Sequence, residues 1–119
     1  MTISLSGSVL SYQGVCAGDY HESATVNGHP SWINAGYAIW YADDLSDWVV
    51  GDIEYRGSNY IRIEADGQGT TCPYYIASSN WDYFDGSSWV SFSSSVISVT
   101  CSQAKGKNNW FCNTNILKI

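Results

Sequence analysis

In the run "NWDYFDGSSWVSF" three large rings, Trp81, Tyr83 and Trp89, surround two carboxylates, Asp82 and Asp85, and the short turn Gly86, Ser87, Ser88. Rings beside short polar side chains suit a sugar. A flat ring stacks on the C–H face of a pyranose while carboxylates, amides and hydroxyls take its polar edge, so both halves of an amphipathic ligand find a partner at once. Trp81, Asp82, Tyr83, Asp85 and Trp89 are therefore the candidate ligand-binding set. The competing account is that Trp81 and Trp89 pin the ends of a hairpin to the core.

Paired carboxylates, the requirement of a glycosidase, occur at Asp43, Asp44 and Asp47 and again at Asp82 and Asp85. The stretches that hold them, "ADDLSD" and "WDYFDG", are also ordinary turn sequences, because an Asp side chain bonds its own backbone. Catalysis is not expected. Asp43, Asp44 and Asp47 are weak calcium candidates through their oxygen ligands, although neither cluster has the spacing of an EF-hand loop. No other cofactor is expected. Two histidines, His21 and His29, cannot make a His-rich zinc site alone, and His29, directly before Pro30, reads as a solvated turn residue. The chain holds no G-x-S-x-G elbow, no P-loop and no H-E-x-x-H.

Charge narrows the partners. Five Lys or Arg oppose eleven Asp or Glu, a formal net charge of −6, which phosphate backbones and anionic lipid heads repel. Nucleic acid and a polybasic membrane contact are excluded as expectations. Lys105, Lys107 and Lys118 crowd the tail and leave the body more acidic still. No apolar run is long enough to cross a bilayer, so membrane insertion is not expected.

Cys16, Cys72, Cys101 and Cys112 are dispersed and form no C-x-x-C pair. Such spacing in a small Ser- and Gly-rich chain fits two structural disulfides made in an oxidising compartment. Three pairings are possible. Cys16 with Cys101 and Cys72 with Cys112 is preferred, since it ties an early loop to a late strand. "MTISLSGSVL" alternates and has no apolar h-region, so it reads as a strand and not as a signal peptide; the leader of a secreted protein would precede it. There is no N-x-[ST] sequon.

The elements that must position these residues are strands. Turn signals recur at short intervals, and the segments between them are too short and too β-branched or aromatic for helices. Ile3 to Leu10 alternates Ile3, Leu5, Gly7 and Val9 with serines and reads as a half-buried strand. Tyr20 to Val26 runs into Asn27-Gly28, a strong hairpin signal because both positions tolerate positive φ. Tyr37 to Ala42, Trp48 to Glu54 and Asn59 to Glu64 read as a meander; "SVISVTC" and "NWFCNTNILKI" supply late strands. Period two puts Tyr37, Ile39 and Tyr41 on one face and Ala38, Trp40 and Ala42 on the other, so this strand is expected to be central. Trp32, Trp40 and Trp48 are expected to be core. The result is one all-β domain over residues 1–119, a small antiparallel sandwich or partly open barrel stapled by disulfides.

The runs "VNGHPSW", "AIWY" and "WVVGD", followed by "CPYY" and "ISVTC", resemble a small extracellular module that recurs, often in tandem, in secreted and surface proteins of marine invertebrates and protists. Its pattern is V-N-G-x-P-x-aromatic, a strand ending in Tyr, and W-x-[IV]-G. The likeness covers about residues 14–101 and rests on Val26, Asn27, Gly28, Pro30, Trp32, Tyr41, Trp48 and Gly51. The segments on either side then count as strand extensions. The resemblance implies an extracellular, β-rich module and brings with it no activity and no functional residue.

The expected function is a secreted, non-catalytic binding module with a carbohydrate ligand, lectin-like in kind. The alternative is a structural subunit of an extracellular fibre or matrix. There, "TISLSGSVL" and "NTNILKI" would add to sheet edges of other copies of the chain, and the rings would be homo-oligomer interfaces.

Overall fold

A computed structural model of the chain describes residues 1–91 and the backbone of a strand at Val96–Thr100. Its strands are β1 (Thr2–Ser6), β2 (Gly18–Asp19), β3 (His21–Glu22), β4 (Trp32–Asn34), β5 (Tyr37–Ala42), β6 (Asp47–Asp52), β7 (Ile63–Ala65), β8 (Trp81–Phe84), β9 (Trp89–Ser91) and β10 (Val96–Thr100). They form a three-stranded sheet in the order β10-β1-β2 and a seven-stranded meander running β3 to β9 in sequence. Every pairing is antiparallel. The fold is all-β, as two sheets, and neither closes on itself among the described residues.

One core joins them. Met1, Ile3, Val9, Cys16 and Tyr20 meet Trp32, Ile39, Tyr41, Trp48, Val50, Ile63, Ala65, Trp81 and Tyr83 of the meander. The reverse face of the large sheet carries a second cluster, Ala38, Trp40, Ala42 and Val49, covered by Val26, Ile33, Leu45, Ile53 and Ile61. Strand β5 is thus buried on both faces, as its alternation of large and small residues requires, and it makes its full six-residue register with β6. Trp40 fits between its alanines and donates its indole N–H to Ser58 O at 3.0 Å. By contrast, the buried indole N–H groups of Trp48 and Trp81 find no hydrogen-bond partner among the described residues, a cost of about 1–3 kcal/mol each that ring burial must offset.

The first segment departs from the expected single strand. β1 stops at Ser6, Gly7 takes φ 73°, and a short helix α1 (Ser8–Gln13) follows. A left-handed turn suits glycine, and it breaks the period of two that would have kept Val9 on the strand. Val9 and Gln13 instead share one helix face, four residues apart, and are both buried. β1 is the middle strand of its sheet, paired with β2 on one side and β10 on the other. The β10 pairing runs the full length of β1, and the β2 pairing covers Thr2 and Ile3.

The Asn27-Gly28 turn has φ of 54° and 80°. Val26 and His29 exchange backbone bonds of 2.8 and 3.0 Å across it, and Asn27 Nδ2–H donates to Tyr41 O at 2.8 Å, tying the turn to β5. His29 is half-buried at the turn, and its ring rests 4.4 Å from that of Tyr41 and 5.9 Å from that of Trp48. Trp32, Trp40 and Trp48 are core residues. Cys16 is a buried thiol and is not bonded to Cys72. The partners expected for these two, Cys101 and Cys112, and the terminal "NTNILKI" lie outside the described residues.

Candidate functional site

The antiparallel order brings the end of β6, the chain entering β7, the end of β8 and the start of β9 to one end of the large sheet. Asp52, Arg62, Phe84 and Trp89 lie there. Asn59, Tyr60 and Ile61 approach from the irregular segment ahead of β7, and Gln13 from the last turn of α1. Together they line a cavity of about 380 Å³, within the lower range for small-molecule sites. Tyr60 is 66% exposed and Trp89 43% exposed, so two large rings stand in water at its wall. Each is braced by another ring: Tyr55 lies edge-on to Tyr60 with centroids 4.5 Å apart, and Phe84 lies 5.6 Å from Trp89. Bracing fixes the orientation of an exposed ring before any ligand arrives, which lowers the ordering cost of binding.

The polar part of the wall is a connected chain. Arg62 Nε–H donates to Asp52 Oδ1 at 2.5 Å, and Arg62 Nη1–H donates to Gln13 Oε1 at 3.1 Å. Gln13, 5% exposed, donates through Nε2–H to Phe84 O at 2.7 Å. The guanidinium also lies 5.6 Å from the centre of the Tyr37 ring, within cation–π range. The hydrogen bond to Asp52 raises the Arg62 pKa above its already high ordinary value, against the opposing effect of burial. Beneath this wall Cys16 is pushed up to about 12 by burial, with Arg62 pulling the other way. It stays a neutral thiol and is no nucleophile.

Of the residues marked out in the sequence, Trp89 alone reaches this cavity. Trp81 is 0% exposed and Tyr83 is 4% exposed; both are packed into the shared core, so neither ring has a face to offer a ligand. The physical reason is parity. β8 turns residues 81 and 83 inward, and its neighbours Asp82 and Phe84 outward. Asp82 pairs across the sheet with Glu64 and Ser91, away from the cavity lining. Burial raises its pKa, and the nearby Asp66 and Asp47 charges add to that, against a bond from Ser91. Asp85 accepts from the backbone N–H of Ser87 at 2.9 Å and of Ser88 at 2.8 Å, which hold its pKa below the ordinary value. It is a turn former.

The calcium candidates separate in the same manner. Asp47 is buried, and its carboxylate accepts from the backbone N–H groups of Gly67, Gln68 and Gly69 at 3.3, 2.9 and 3.2 Å. Asp43 and Asp44 are exposed on the β5–β6 turn. No group of three or more His, Cys, Asp or Glu side chains among the described residues is arranged to hold a metal ion.

Tyr60, Asp52, Arg62, Asn59 and Gln13 were not singled out from the sequence. A signal for three of them existed: pairing the segment ending at Asp52 with the one beginning at Asn59 as an antiparallel meander brings Asp52, Tyr60 and Arg62 to one sheet end. Reading Asn59 to Glu64 as a continuous strand hid it. The strand begins only at Ile63, and the four preceding residues are free to line a cavity. No helix among the described residues is long and apolar enough to cross a membrane. No family model, no curated protein sequence and no solved structure matches the chain.

Proposed function

We propose that the protein is a secreted, non-catalytic carbohydrate-binding module whose ligand enters the cavity between β6 and β9. The observation that carries this reading is the pairing of two exposed, braced rings, Tyr60 and Trp89, with the hydrogen-bonding chain Asp52, Arg62 and Gln13 in one concave wall. Stacking surface and hydroxyl partners are thereby within reach of the same small ligand. Four dispersed cysteines and the likeness to an extracellular module support the compartment. The reading as a fibre subunit is less favoured, because β1 already pairs β10 along its full length and β2 through Thr2 and Ile3.

The test is a glycan array followed by titration calorimetry with Trp89→Ala and Tyr60→Ala. Each variant is expected to keep the parental cooperative unfolding transition and to lose at least about tenfold in affinity, as truncation of an aromatic anchor at a binding surface does. Full affinity in both folded variants would refute the cavity as the site.

A further inference from the structure

The class of sugar follows from the charges on the cavity wall, and the inference rests on the glycan-binding reading above. Among the described lining residues Arg62 is the single cation and Asp52 the single carboxylate, so this part of the wall is neutral. A guanidinium carries five N–H donors; two are engaged, by Asp52 and Gln13, and three remain. Asp52 spends Oδ1 on Arg62, and the described residues give its Oδ2 no donor. The two side chains are 35% and 33% exposed, so a ligand reaches both.

We infer that the cavity takes a neutral pyranose by two adjacent hydroxyls, one accepting from Arg62 and the other donating to Asp52, and that it rejects uronic, sialic and sulfated sugars. A sugar hydroxyl both donates and accepts, so a vicinal pair matches a donor held beside an acceptor. A carboxylate or sulfate only accepts. One that reaches the remaining N–H donors of Arg62 sits beside the like charge of Asp52 and has no hydrogen to give the Asp52 Oδ2. The formal charge of −6 on the chain adds repulsion of the same sign at longer range.

The experiment applies the full chain, at about 0.15 M salt, to immobilised glucose-, galactose- and mannose-terminated oligosaccharides and to glucuronate-, sialate- and sulfate-terminated ones. Calorimetry follows on whatever is retained. Neutral sugars are expected to bind and acidic ones to bind at least about tenfold more weakly; a deoxy analogue lacking either hydroxyl of the pair should lose a similar factor. Asp52→Asn keeps the side-chain volume and frees Arg62, so it should narrow the gap between the classes. Arg62→Gln should weaken the neutral sugar, and it supplies the same test if Asp52→Asn does not fold. Acidic sugars bound as tightly as neutral ones, or Arg62→Gln binding the neutral sugar unchanged, overturn this inference and leave the glycan reading standing. No retention of any sugar overturns both.

Discussion

Trp81 and Trp89 stand eight positions apart in one stretch of sequence with the same polar neighbours, and water treats them oppositely. Trp81 begins β8, a strand with β7 on one side and β9 on the other, and its ring belongs to the core cluster that Ile3 of the smaller sheet and Val9 of α1 share. Trp89 begins β9, the last strand of the meander, where no further described strand covers it. The Asp85–Ser88 turn between them hands the chain from interior to rim. What differs is not residue type but what lies on the far side of each ring. An aromatic core holds the sheet, and an aromatic rim is left exposed to water.

The strongest way to break that comparison is to truncate both rings. Trp81→Ala removes a fully buried side chain and should cost about 3–5 kcal/mol, a large share of the stability of an ordinary domain. Trp89→Ala should cost less than about 1 kcal/mol while lowering sugar affinity at least about tenfold. Urea titration of the two variants decides it; equal midpoints would mean that the division between core and rim is mistaken. Trp81→Phe sharpens the point. It leaves a smaller cavity and also removes an indole N–H that has no partner among the described residues, so it should cost clearly less than the alanine variant.

Next in size is the carboxylate that the fold keeps for itself. Asp47→Ala strands three backbone N–H groups of the 67–69 loop. A loss of about 1–3 kcal/mol is expected, and a chelator should leave the thermal midpoint of the parent unchanged. A midpoint that falls with chelator would restore Asp47 as a metal ligand. Close behind comes Gly51→Ala, beside Asp52. A Cβ there would meet the Trp40 ring at 3.0 Å and the Ile61 backbone at 3.2 Å. Overpacking of this kind costs about 1–3 kcal/mol. Because Ile61 and Arg62 are adjacent, the variant should also weaken sugar binding, whereas Asp47→Ala should not if it remains folded.

How much of this could be read from the sequence differs between the two regions for a physical reason. The alternation in Tyr37 to Ala42 named β5, its two apolar faces and its central place, because a strand buried on both sides leaves a pattern in one local stretch. Asn27-Gly28 named a turn, because positive φ is a local demand. The cavity left no such pattern. Its wall draws on α1, the end of β6, the chain before β7 and the β8–β9 hairpin, and these meet only through the register of four strands. Composition marked rings near carboxylates but was silent on parity, so Trp81 and Tyr83 were grouped with Trp89. Gln13 was the least accessible to sequence reading, since it needed the Gly7 break that makes α1.

The smallest expected effect compares the two ends of the β7–β8 pair. At the cavity end Arg62 answers Asp52. At the other, Glu64 faces Asp82 across the strands, with Asp47 and Asp66 close by and no cation among the groups that perturb it. Burial, then those three charges, raise the Glu64 pKa above its ordinary 4.5. A raised carboxylate favours the fold when protonated: the benefit is complete below the unfolded value and is lost as pH rises through the folded one. At neutral pH, therefore, the fold carries an unbalanced charge that Glu64→Gln removes. The side chain is partly solvated, so the gain should be only about 0.5 kcal/mol or less. It should appear as a slightly higher thermal midpoint for the variant at neutral pH and shrink on acidification below 4.5. A difference that stays constant across that range would assign the effect to packing, and would leave the acidic end no more strained than the one that Arg62 balances.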